Sequence, residues 1–143
     1  MFFGEYRHAL DDKNRLFIPA KLREPIQAEP QKGFYISRGM DHSLFLYTPQ
    51  GFEKLRESFP KLSFTKARHR EFQRMFFANT AFSELDAQGR ILVPESLAAL
   101  ALLKKEVSIV GVDDRIEVWD VARWEAFKKR SNPRFERTAD ELF

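Results

Sequence analysis

Two pairs of side chains in this sequence have the types and spacing to do chemistry. Asp11 and Arg15 stand four apart in "LDDKNRLFIP" (residues 10–19), and Asp86 and Arg90 stand four apart in "LDAQGRILVP" (residues 85–94). An aspartate at the start of a tight connection accepts backbone N–H bonds in an Asx-turn. Its second oxygen can then hold a guanidinium four residues on. A guanidinium fixed in this way presents a planar donor fork that matches a phosphate or the major-groove edge of guanine. The same pair also has a purely structural use, as an exposed ion pair that pins a turn and contributes little to stability. Spacing alone leaves both readings open. The residue before each arginine, Asn14 or Gly89, is predicted to take a positive φ, because glycine and asparagine enter that region most readily.

Little else in the chain suggests chemistry. His8, His42 and His69 are widely separated and lack metal-ligand spacing; His8 reads as a strand residue beside the first turn. Six glycines form no phosphate-cradling loop. With no cysteine there is no thiolate metal site, cysteine nucleophile or disulfide framework. The carboxylates fall in no catalytic motif. The sequence therefore predicts no enzyme, and no cofactor, metal or small-molecule substrate.

The elements that must position the two turns are themselves repeated. In the first half, "FFGEYRHAL" alternates loosely and "RLFIP" is a short apolar strand ended by a proline. "AKLREP" predicts one helical turn stopped by Pro25. "GFYISRGMDHSLFLYT" reads as a hairpin turning at Gly-Met-Asp-His. Thr48-Pro49 then reads as an N-cap and first helical residue, with Phe52, Leu55 and Phe59 at helical spacing. The second half follows the same plan. "GRILVP" leads into the helical "ESLAALALL", and "EVSIVGVDDRIEVWD" is a hairpin turning at Val112–Arg115. Asp120 is predicted to cap a helix that buries Trp124 and Phe127. With an offset of 72, Gly39 pairs with Gly111, Tyr47 with Trp119, Phe52 with Trp124 and Leu55 with Phe127.

Between the halves, "FTKARHREFQRMFFANT" reads as an amphipathic helix. Phe72, Met75 and Phe76 lie on one face, and Lys66, Arg68, Arg70 and Arg74 largely fill the rest. The basic side either meets DNA or is the solvated side of a connector; the connector is the simpler expectation. The tail "SNPRFERTADELF" shows little periodicity and is left unassigned. The resulting organisation is a first repeat at 5–50 with its helix to about 60, a connecting basic helix at 61–80, a second repeat at 81–124 with its helix to about 130, and a tail at 131–143.

At 143 residues the chain suits one ordinary domain or two small halves sharing a core. Its 43% hydrophobic and 31% charged residues fit a globular protein. The N-terminus lacks a basic stretch followed by an apolar run, so no secretory signal is expected. No apolar run reaches the roughly 18 residues a membrane span needs. A soluble cytosolic protein without a membrane partner is the expectation. Charge is uneven: residues 1–75 hold 14 Lys/Arg against 9 Asp/Glu, and residues 76–143 hold 10 against 12. A basic first half fits a polyanionic partner.

The motifs resemble a known family. "HALDDKNRLFIPAKLR", "REFQRMFFANTAFSELDAQGRILVP" and "VGVDDRIEVWD" are similar to those of the MraZ family of bacterial transcriptional regulators, over residues 1 to about 130. The resemblance implies a mainly β, α+β fold with short helices, in which two tandem AbrB-like (SpoVT-AbrB) repeats form a pseudo-two-fold swapped-hairpin β-barrel. It also implies cytoplasmic, nucleoid-associated proteins that assemble into homo-oligomeric rings. These bind double-stranded DNA at direct repeats upstream of the division and cell-wall gene cluster, their own gene included. Carried over by position, the family's DNA-binding motifs are Asp11 with Arg15 and Asp86 with Arg90. From the charge around the first turn the expected DNA-binding set is Arg15, Lys13, Arg7 and Asn14, with Arg90 behind them, and Asp11 and Asp86 orient the arginines. The family's Lys-Gly-Arg is Lys13-Asn14-Arg15 here. Gln88 stands opposite Lys13 and Ala98 opposite Arg23, so the first repeat is expected to carry more of the contact. The rival expectation is a ring-forming structural or interaction protein without specific DNA recognition.

Overall fold

The computed structural model describes all of residues 1–143. In chain order the elements are β1 (Glu5–Ala9), β2 (Arg15–Phe17), α1 (Ala20–Arg23), a 3₁₀ turn (Glu24–Ala28), β3 (Gly33–Arg38), β4 (Leu44–Tyr47), α2 (Pro49–Ser58) and α3 (Ala67–Phe77). There follow β5 (Ala81–Glu84), β6 (Arg90–Leu92), α4 (Glu95–Leu100), β7 (Glu106–Val112), β8 (Arg115–Asp120), α5 (Val121–Ser131), a 3₁₀ turn (Asn132–Arg134) and α6 (Phe135–Leu142). The fold is mixed α+β, and no helix is long and apolar enough to cross a membrane.

Six strands form one antiparallel sheet in the order β1-β7-β8-β4-β3-β5. Exchanging the repeats maps β1 onto β5, β3 onto β7 and β4 onto β8, which returns the same order reversed. The first strand of each repeat thus pairs with the other repeat's hairpin, and neither half completes its own sheet. The pseudo-two-fold axis passes through the Phe45–Glu117 register pair of β4 and β8. At its other end it passes through Leu16–Ile91, the central pair of a separate antiparallel ribbon formed by β2 and β6. The ribbon lies beside β1 and β5, where the Ser83 hydroxyl accepts the Leu92 N–H at 2.8 Å. The strands thus form a sheet plus a ribbon, and no continuous ladder closes the expected barrel.

One apolar core joins the two repeats. Leu16, Ile18, Ile91 and Val93, from the apolar strands "RLFIP" and "RILVP", are at most 1% exposed. Around them pack Leu22, Phe34, Ile36 and Leu46 from the first repeat and Leu97, Ile109, Ile116 and Val118 from the second. Gly111 has no side chain because the N-terminal segment crosses it; a Cβ there would sit 2.3 Å from the Phe3 nitrogen.

Several local expectations are corrected. α1 is the single helical turn expected and ends at Arg23, before Pro25, which is the second residue of the 3₁₀ turn that follows, where its missing N–H is harmless. Thr48 caps α2 as expected, accepting the Gly51 N–H at 2.9 Å. Asp120 occupies the matching position before α5, but its carboxylate accepts the Lys104 N–H at 3.3 Å and caps nothing. Trp124 and Phe127 are only half-buried, because α5 lies at the surface. The tail, unassigned from sequence, is helical.

Candidate functional site

The two Asp-x-x-x-Arg turns lead directly into the two strands of the ribbon, and they are built alike. Asp11 Oδ1 accepts the N–H groups of Lys13 at 2.9 Å and Arg15 at 2.8 Å, and Oδ2 accepts Arg15 Nε at 2.6 Å. Asp86 accepts Gln88 N–H, Arg90 N–H and Arg90 Nε at 2.9, 2.9 and 2.8 Å. Each turn is closed by two backbone bonds, Asn14 N–H to Asp11 O and Asp11 N–H to Arg15 O at 3.0 Å each, with their counterparts from Gly89 and Asp86 at 3.0 and 2.9 Å. Asn14 and Gly89 take φ of 59° and 79°, so both predicted left-handed positions occur.

These bonds set the electrostatics. The Arg15 backbone N–H, then its guanidinium and the Lys13 N–H, hold the Asp11 carboxyl below the ordinary aspartate range. Arg90 and Gln88 do the same for Asp86. Both aspartates are therefore anionic at neutral pH and fix their arginines through Nε. The terminal nitrogens of Arg15 make no hydrogen bond within the protein. The turns also touch across the axis, with Arg90 Nη1 3.7 Å from Asp11 Oδ2, whereas Arg15 has no reciprocal ion pair with Asp86.

Strand alternation sorts the ribbon into two faces. Leu16 and Ile91 point into the core, while Arg15 stands opposite Leu92 and Phe17 opposite Arg90 on the outer side. Two arginines thus lie diagonally on one small platform, with Leu92 55% exposed between the turns. Phe17 packs against His8, ring centroids 5.2 Å apart, so His8 supports the platform.

A third guanidinium, from outside the expected contact set, joins this platform. Arg23, on α1, donates Nε to Ile18 O at 2.7 Å and lies 5.2 Å from the Phe17 ring centroid. It also covers the second turn: a Cβ on Gly89 would be 2.7 Å from Arg23 Nη1. The only sequence signal was its mismatch with Ala98. Lys13 is exposed on the first turn and has no ion-pair partner. Arg7 does not join the others, because β1 carries it toward α5, where it stands 3.6 Å from Glu125. No cluster of three His, Cys, Asp or Glu residues that could hold a metal is present.

Comparison with known proteins agrees with this duplication. A family model described as "MraZ protein, putative antitoxin-like" matches the chain twice, over residues 1–75 and 76–143. The chain is 43% identical over 142 residues to a protein of Finegoldia magna named transcriptional regulator MraZ, covering 99% of this chain and 96% of that one. Proteins of the same name from Moorella thermoacetica and Heliobacterium modesticaldum are each 42% identical, with the same coverage.

Proposed function

The chain belongs to the MraZ family, and from that premise we propose that it binds repeated promoter DNA through the outer face of the β2–β6 ribbon. It is a transcriptional regulator, as its curated relatives are named, and not an enzyme. One observation carries the DNA reading: two matching turns hold Arg15 and Arg90 by Nε on one ribbon and leave terminal donors for phosphate or guanine. Preorganised guanidinium groups lose little entropy on contact, which suits a recognition surface. The repeats at 5–50 and 81–124 act as one reading body. Lys13, Asn14 and Arg15 supply the main contact, and Arg23 and Arg90 assist.

Affinity comes from assembly. A few phosphate contacts give only about 10⁻⁴–10⁻⁶ M, the range of non-specific binding. A homo-oligomeric ring on direct repeats raises effective concentration, and avidity adds roughly 10²–10⁴ without new contacts. The regulated genes are the division and cell-wall cluster including the chain's own gene, and the protein works in the cytoplasm at the nucleoid. Fluorescence anisotropy with the upstream region of its own gene tests this. Binding should weaken with salt at a log–log slope of about −0.9 per phosphate neutralised, and one repeat should bind far more weakly than several in phase. Equal affinity for one repeat and three, or for unrelated DNA, would favour a structural ring protein without specific recognition.

A further inference from the structure

The connecting helix and the tail each leave an apolar face without a partner. α3 has no buried residue, and Phe72 and Met75 are 42% and 49% exposed. With α2 and the β3–β4 hairpin they line a groove of about 370 Å³, walled by Met40, Leu55, Phe59, Phe72, Met75 and Phe76, with Arg38 at its side. The aromatic wall is ordered internally: Phe59 meets Phe72 and Phe76 edge-on at centroid distances of 5.6 and 5.4 Å. A rigid apolar trough of this kind suits the apolar face of a short helix.

α6 is such a helix. Phe135, Ala139 and Leu142 fall at i, i+4 and i+7 and share one face. Phe135 and Leu142 are 72% and 74% exposed, and no residue of α6 is buried. An isolated helix of eight residues is unstable in water, since helices below roughly 12–15 residues are marginal on their own. Charge is complementary as well. α6 carries Glu136, Asp140 and Glu141 against one cation, Arg137, whereas α3 carries Arg68, Arg70 and Arg74 against one acid, Glu71. Arg38 puts positive charge on the groove itself, and Arg68 lies one helical turn before Phe72 on α3. The groove belongs to the first repeat's helices, whereas α6 continues from α5, across the pseudo-two-fold axis.

We propose that α6 of one chain docks into the α2–α3 groove of a second copy. The contact is head-to-tail, so every bound chain still offers one free groove and one free helix. Such a contact closes into a ring or grows into a filament according to its rotation. This rests on the self-association part of the proposed function and not on DNA contact.

Light scattering on the full chain without DNA tests it, using Leu142→Asp on the helix and Met75→Asp in the groove, both at exposed positions. Wild type should exceed monomer mass, and each variant alone should remain monomeric at the same concentration with an unchanged circular dichroism spectrum. An equimolar mixture should give a two-chain species and nothing larger, because one variant keeps its groove and the other its helix. A monomeric wild type, a single variant that assembles like wild type, or a mixture that stays monomeric would overturn the proposal. As the chain has no cysteine, Met75→Cys with Leu142→Cys and a short bismaleimide gives a check independent of the aspartates. Cross-links between chains are expected; cross-links only within one chain would also overturn it. Both aspartate variants should bind a single DNA repeat as wild type does, so loss of single-site binding in wild type would fault the DNA reading and leave the assembly result standing.

Discussion

Arg23 lies against Gly89 so closely that the two residues specify each other. The guanidinium occupies the space a Cβ would need, and it is anchored there by Ile18 O and the Phe17 ring. In the other repeat the corresponding residues are Ala98 and Asn14. A small residue replaces the arginine, and a side chain replaces the bare backbone. The pseudo-symmetric turns therefore share a backbone but exchange which partner supplies the bulk.

This relationship predicts coupling. Asn14→Gly should be nearly neutral, within ~1 kcal/mol, because only backbone strain changes. Gly89→Asn tolerates the positive φ but must displace Arg23, and should cost about 1 kcal/mol in urea unfolding. Adding Arg23→Ala should recover much of that loss in a double-mutant cycle. Strictly additive effects would show that the contact does not matter.

Arg15→Ala is expected to abolish specific DNA binding while leaving the melting temperature and oligomer mass close to wild type. The residue is partly exposed, and its neighbours Leu16 and Ile18 hold the ribbon without it. Arg90→Ala should be milder, since the second turn has Gln88 where the first has Lys13. Anisotropy titrations of both variants give the ranking; wild-type affinity for Arg15→Ala would remove the turns from recognition.

The aspartates set an acid limit. Both carboxyls titrate below their unfolded value of about 3.9 because backbone and guanidinium donors favour the anion. Their contribution to the folded state is complete above that value and is lost as pH falls through the lowered folded pKa. The turns should therefore be unchanged from pH 8 to 5 and loosen only below about pH 4. Amide NMR shifts of Lys13, Arg15, Gln88 and Arg90 report this directly; a transition near neutrality would contradict the geometry.

Core truncation at the ribbon should be severe. Leu16→Ala or Ile91→Ala removes side chains that are 0% and 1% exposed and face each other across the axis. Each should cost about 2–5 kcal/mol in denaturant unfolding. The double substitution should be non-additive, because the two share one cavity.

What could be read from the chain was what local chemistry dictates. The Asx pattern and the Asn14/Gly89 match foretold both turns, since all their bonds lie within five residues. Apolar triplets foretold the ribbon strands. Arg23 is not legible in the sequence as a contact residue because its meaning depends on Gly89, 66 positions away and brought near only by the swap. Arg7 looked like part of the basic tip from sequence proximity, but β1 directs it to Glu125. The tail was obscure because α6 buries nothing, so its pattern had no core to be matched against.

The interleaved strand order also constrains how the protein is made. β1 emerges early from the ribosome, yet its only ladder partner is β7, about 100 residues later. At roughly 5–20 residues per second, that edge waits about 5–20 seconds for its mate. During that interval β3 and β4 can pair locally, but Phe34, Ile36, Leu44 and Leu46 lack the second repeat's half of their core. Contacts so distant in sequence are slow to form and expose apolar surface meanwhile. The nascent first half is thus a sticky intermediate that becomes self-sufficient only once β8 has been synthesised.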